Sequence, residues 1–356
     1  MRHARLVAKM LVVLLCPAAV AAAQPAPGGD VLVVLEKDSA AARLLDPATG
    51  ATLARLPTGP FPHEVAASPD GALAVVADYG AREPGRTLTV LDLRARRVLR
   101  TVDLGAYRRP HGIAWLPGAG QRVAVTAEGS QAVLVVDVAA GRVERAVATG
   151  QRGTHMLALA PAGPLAGRRA WTANIGSGSV TALDLARMDT VRTRATGAGP
   201  EAIAASPDGR EVWAADRQQD RVTVLDAATL DSLASLPTGR FPNRLQFTPD
   251  GSTALVSNAA AGTVTVYDAK ARRLVATLDL GPGPAGEAGP MNPTGRGTVP
   301  LGILVAPDGR SAWVALNAAG ALAELALVPG APARARVARR VPAGAGPDGM
   351  AYARGR

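Results

Sequence analysis

The sequence predicts an all-β chain: a seven-bladed β-propeller with four-stranded antiparallel blades, closed by a C-terminal strand that completes the N-terminal blade. Three observations predict it. A phrase recurs at intervals of about 45 residues, a length suited to one propeller blade. Each copy contains short alternating runs of β-branched and small residues bounded by Gly, Pro and Asp, the signature of strands joined by tight turns. The last copy stops after one strand, and its missing strands stand at the other end of the chain.

Ahead of the repeats, Arg2, Arg5 and Lys9 precede an uncharged apolar run from Met10 to Val20, then Ala21, Ala22 and Ala23 before Gln24. A basic, an apolar and a small-residue segment in that order make a cleavable secretory leader. Residues 1–23 are therefore expected to be removed, 24–29 to form a short lead, and 30–356 to form the propeller. The apolar run is too short to cross a bilayer comfortably, and no second span follows. The expected location is the periplasm or the extracellular space, without a transmembrane span in the mature protein. Cys16 is the only cysteine and falls in the leader, so no disulfide or thiolate-bound metal is expected. Val13, Leu14 and Leu15 before it lack the small residue expected ahead of a lipidated cysteine.

The formal charge of +10 falls to about +7 without the leader's three basic residues. The remaining arginines are spread thinly, and aromatics make up 3% of the chain. There is no basic patch interleaved with stacking residues, which argues against nucleic acid as a partner. Weak attraction to anionic surfaces is permitted by the charge but not specified by it.

The repeat begins with a proline or its equivalent, one variable residue, a short strand, a Pro-Asp-Gly turn and a second strand. It reads PHEVAASPDGALAVVAD at 62–78, PEAIAASPDGREVWAAD at 200–216, PNRLQFTPDGSTALVSN at 242–258 and PLGILVAPDGRSAWVAL at 300–316, with blurred copies from 110 and 154. A third strand ending in aspartate follows in most copies, as in RVTVLD at 221–226, and a fourth runs to a glycine turn. The seventh copy, PDGMAYA at 347–353, lacks three strands, which VLVVLEK (31–37), AARLLD (41–46) and ATLARLPTG (51–59) supply. Closing the ring removes the unpaired edge that an open array would leave. A closed ring needs no partner, so a monomer is expected to be stable.

This repeat resembles that of the YVTN-type, or YncE-like, propeller family. The resemblance is carried by the Pro-Asp-Gly turns, by strands such as WTAN (171–174), WAAD (213–216) and ALVSN (254–258), and by VTVLD (222–226) and VTVYD (264–268). It covers essentially the whole mature chain and implies the fold. Propellers of this kind include lactone hydrolases, electron-transfer and copper enzymes, surface-layer proteins and binding proteins, so the resemblance implies no single activity.

Most repeated residues have structural readings. Trp171, Trp213 and Trp313 share one second-strand position and are expected to pack blade against blade. Asp92, Asp137, Asp184, Asp226 and Asp268 recur at strand ends and are expected to accept backbone hydrogen bonds.

The residue after the leading proline is different. Around the ring it reads His63, His111, His155, Glu201, Asn243, Leu301 and Asp348. Each opens the strand expected nearest the central channel, so these side chains are expected to converge on its mouth. All three histidines beyond the leader occupy this position, in consecutive blades.

Three readings stand at this point. His63, His111, His155 and Glu201 match the donor chemistry of a divalent zinc, copper or iron ion. The same groups, with Asn243 and Asp348, could instead hold a small-molecule ligand or do acid–base work. Or the histidines simply bond the backbone of a neighbouring blade. The favoured function is an exported binding module for a small ligand or a cell-envelope protein. The alternative is a metal-dependent or acid–base enzyme, hydrolase or oxidoreductase, at the same mouth. A further alternative is a cell-surface structural domain. Glu64, Arg108, Arg109, Arg152 and Arg244 lie near ring positions, but strand alternation is expected to turn Glu64 and Arg244 away. The Gly- and Pro-rich segment 281–300 is expected to be an irregular loop, either over the mouth or protruding.

Overall fold

The computed structural model describes residues 29–118 and 120–355. The expected leader at 1–23, and all of the lead at 24–29 except Gly29, lie outside the described residues. The described chain forms seven four-stranded antiparallel sheets. Blade 1 comprises Pro62–Ala67, Leu73–Asp78, Thr87–Asp92 and Arg97–Asp103. Blades 2 to 6 open with inner strands Pro110–Trp115, Thr154–Leu159, Pro200–Ala205, Pro242–Phe247 and Pro300–Val305. In blade 7 the C-terminal strand Pro347–Ala353 is innermost and pairs with Val31–Glu36, which pairs in turn with Ala41–Leu45 and Thr52–Pro57. The ring is thus sealed by hydrogen bonds between the two ends of the chain.

Apolar residues from adjacent blades mesh to form the core. Trp171, Trp213 and Trp313 are fully buried, and Trp213 of blade 4 meets Phe247 and Tyr267 of blade 5 edge-on at 5.2 and 5.6 Å between ring centroids. That geometry suits aromatic quadrupoles and makes these residues inter-blade packing groups. The strand-end aspartates accept backbone N–H groups as expected. Asp92 takes those of Arg94 and Ala95, and Asp226 those of Ala228 and Thr229. In the Pro-Asp-Gly turns, Gly71, Gly209, Gly251 and Gly309 all have φ between 66° and 72°, a conformation open to glycine at little cost.

Two features position the mouth. Every inner strand shows a register shift near its start, for example between Pro62 and Glu64 and between Pro242 and Arg244. Such a bulge leaves one residue unpaired and re-aims its neighbours. The chain also enters several inner strands through a left-handed residue, including Phe61, Arg109, Phe241 and Val299, with φ of 51–57°. Val299 is β-branched, so this backbone is strained there. Beyond the entry, inner strands of neighbouring blades approach closely. A Cβ on Gly349 would lie 2.2 Å from the carbonyl oxygen of His63.

Candidate functional site: a histidine–carboxylate cluster at the channel mouth

All six polar positions expected at the mouth line one cavity of about 410 Å³: His63, His111, His155, Glu201, Asn243 and Asp348. They form a nearly continuous belt. Asp348 Oδ2 lies 3.6 Å from His63 Nδ1, and His63 Nδ1 lies 3.2 Å from His111 Nε2. His111 stacks on His155 with ring centroids 3.8 Å apart, His155 Nε2 bonds Glu201 Oε1 at 3.1 Å, and Asn243 Nδ2 donates to that oxygen at 3.2 Å. Leu301 completes the ring as an apolar wall.

A second ring, missed in the sequence, surrounds the first. Lys37, Tyr79, Glu128, Ile175 and Arg217 also line the cavity. Each follows the last residue of its blade's second strand, after Glu36, Asp78, Ala127, Asn174 and Asp216. The same register position in each repeat carries it. Glu128 is its most consequential member. Glu128 Oε2 lies 2.7 Å from His155 Nδ1, and the Tyr79 hydroxyl donates to Glu128 Oε1 at 3.2 Å. His111, Glu128 and His155 can each offer a ligand atom such that all three lie within 4.8 Å of one another, the spacing of a metal-binding group.

The expectation for Glu64 and Arg244 is corrected. Alternation turns them from the channel only in an unbroken strand, and the bulges at both positions break it. Arg244 lines the cavity and reaches across the channel to Glu64 Oε1 at 2.6 Å, and also meets Glu201 at 3.4 Å. This pair links blades 1 and 5 across the channel. Arg108, Arg109 and Arg152 do not line the cavity; Arg109 lies over the Tyr79 ring at 4.8 Å. Loop 281–300 places Met291 in the cavity lining, so it lies against the mouth.

Charge is distributed unevenly along the belt. Burial disfavours a charged His155, but Glu201 and Glu128 outweigh it and push its pKa up to about 9. Burial likewise acts against ionised Glu201, yet His155, Arg244 and Arg217 bring it down to about 2. His63 and His111 go the other way. Burial lowers His63 to about 3 despite Asp348, and burial with two neighbouring imidazoles holds His111 well below the usual range. Near neutral pH the mouth therefore holds one imidazolium clamped by two carboxylates beside two neutral imidazoles. His111 Nδ1 and His63 Nε2 are buried without a hydrogen-bond partner in the protein. An unpaired buried nitrogen of this kind is costly unless a ligand, ion or water meets it.

These shifts contribute to the pH response of the protein's stability. His155 keeps a proton in the folded state that the unfolded chain releases, so its contribution is complete below about pH 6.5 and lost as pH rises through about 9. His63 and His111 are charged in the unfolded chain but not in the folded one, so stability falls as pH drops below about 6.5. Denaturant midpoints are expected to peak near pH 6.5, and His155→Gln is expected to flatten the alkaline decline. A variant with the full alkaline decline would locate that titration elsewhere.

A family model described as "Lactonase, 7-bladed beta-propeller" matches residues 108–277, a span that includes His111, Glu128, His155, Glu201 and Arg244. No curated protein matches the chain. Among solved structures, hydrazine synthase of Kuenenia stuttgartiensis is similar at 20% identity and TM-score 0.66, over 82% of this chain and 89% of that one. A functionally unknown protein from Desulfotomaculum acetoxidans is similar at 14% identity and TM-score 0.72, over 92% and 99%. At these identities the structural likeness concerns the fold alone.

Proposed function

We propose that the chain is a metal-dependent hydrolase that opens a cyclic ester at the channel mouth, with His111, Glu128 and His155 as the metal ligands. The observation that carries this reading is their convergence in a polar cavity where His111 Nδ1 is buried and unpaired. Two imidazoles and a carboxylate suit zinc, copper or iron. The match to lactonase propellers supports the ester class, because it spans the blades that carry all three ligands. Such an ion would supply Lewis acidity and lower the pKa of a bound water.

The protein's own groups prepare that chemistry. Glu201 accepts from His155 Nε2–H and leaves Nδ1 as the ligand side, while Tyr79 holds Glu128. On this reading His63 and Glu201, expected as ligands, each stand behind one. Carboxylate partners of ligating histidines commonly orient them. His155 and Glu128 would hold the ion once His155 has given up its proton, so affinity is expected to rise with pH as His155 deprotonates. Arg244, held by Glu64, places a cation in the cavity wall, and Met291, Ile175 and Leu301 offer an apolar wall for the substrate's carbon skeleton.

The test is metal content together with acid release from a panel of five- and six-membered lactones. Stoichiometric metal, turnover lost on chelation and restored by zinc, copper or iron is the expected result. Turnover indifferent to chelation would leave acid–base catalysis; metal without turnover would return the mouth to a binding role.

The residue pattern at 1–23 supports a further placing: an exported protein of the periplasm or cell exterior, cut after Ala23. Among the described residues no helix is long and apolar enough to cross a membrane. N-terminal sequencing of the exported protein tests this.

A further inference from the structure

A cation at His111 needs one ring nitrogen bare, and the neighbouring blade bears on which one that is. His111 Nε2 and His63 Nδ1 are 3.2 Å apart, and the outer nitrogens of the pair, His111 Nδ1 and His63 Nε2, are both buried and unpaired. A neutral imidazole carries one proton, on one nitrogen. Two arrangements therefore satisfy the bond. In the first, His111 Nε2–H donates to His63 Nδ1, leaving a lone pair on His111 Nδ1 and a proton on His63 Nε2. In the second, His63 Nδ1–H donates to His111 Nε2, and the proton on His111 Nδ1 bars a cation. Asp348 Oδ2, 3.6 Å from His63 Nδ1, favours the second; Lys37 Nζ, 3.2 Å from the same oxygen, weakens that pull.

We propose that His63 is a positioning residue whose tautomer is coupled to the metal. With a cation on His111 Nδ1, His63 accepts at Nδ1 and carries its proton on Nε2, where it offers an unpaired donor in the cavity wall to an oxygen acceptor. Without the cation, Asp348 draws the proton to Nδ1 and His63 Nε2 becomes an acceptor. Metal binding thereby converts one wall of the mouth from accepting to donating. That suits a ligand that presents a carbonyl or carboxylate oxygen to the loaded site. The inference rests on the metal reading and adds to it a proton position that can be observed directly.

Long-range proton–nitrogen NMR on histidine-labelled protein reads the tautomers with and without zinc. The expected result in the zinc form is a protonated Nε2 and a bare Nδ1 on His63. A proton on His63 Nδ1 in that form would overturn the proposal. Zinc affinity gives a second readout. His63→Gln, whose amide oxygen can accept from His111, is expected to keep most of it, and His63→Leu to lose roughly ten- to a hundredfold. Equal affinities in the two variants would also overturn it. Failure of the unmodified protein to take up zinc would sink the metal reading and this inference together; zinc uptake with the wrong tautomer sinks this inference alone.

Discussion

His111→Ala is expected to abolish metal uptake and to lower lactone turnover by at least about a hundredfold, while leaving a folded propeller. Partners that only orient a metal ligand typically govern ten- to a hundredfold in affinity or activity, and loss of a ligand exceeds that. His111 is 1% exposed and stacked on His155, so its removal also leaves a small cavity. The rest of blade 2 does not depend on it: the apolar core between blades 1 and 2 is built from residues such as Val75, Leu88, Val125 and Leu134. The measurement pairs metal content with kcat/KM and a denaturation curve. Glu128→Gln tests the same centre with less change of shape. It keeps an oxygen acceptor for Tyr79 but loses the charge that clamps His155. Full metal occupancy in both variants would remove the cluster from the ligand set.

Arg244→Met is expected to destabilise the propeller by about 3–5 kcal/mol, because it strands buried carboxylates. Arg244 bonds Glu64 across the channel and touches Glu201, and its side chain is 8% exposed. The partners feel the pair unequally. Burial raises Glu64 even with Arg244 beside it, whereas burial of Arg244 is outweighed by Glu64, Asp348 and Glu201, which keep it protonated. A buried pair of this kind contributes little over an apolar replacement, but half of one is costly. Arg244→Met combined with Glu64→Gln is therefore expected to recover much of the loss. Chemical denaturation of the two single variants and the double variant closes a cycle that isolates the coupling. Strict additivity would show that Arg244 and Glu64 act independently. Glu201 still faces the vacated space in the double variant, so recovery is expected to be partial.

The repeat made the architecture legible. Strand alternation, Pro-Asp-Gly turns and a truncated last copy are local signals whose spacing admits few other closed arrangements, and the seven sheets follow them. Cyclic equivalence also made six mouth residues legible from one register position, since equivalent places in a ring must face the same axis. Glu128 and Tyr79 were readable by the same rule at a second position. Glu64 and Arg244 were not, because alternation describes an unbroken strand and the bulge at each blade's entry breaks it. The sequence by itself determined the fold and one ring of side chains that gather at the mouth. Only the tertiary structure decided which of them meet one another and through which atoms. That choice turns on ångström-scale gaps between blades and on which ring nitrogen is left unpaired, and neither is carried by residue type or spacing.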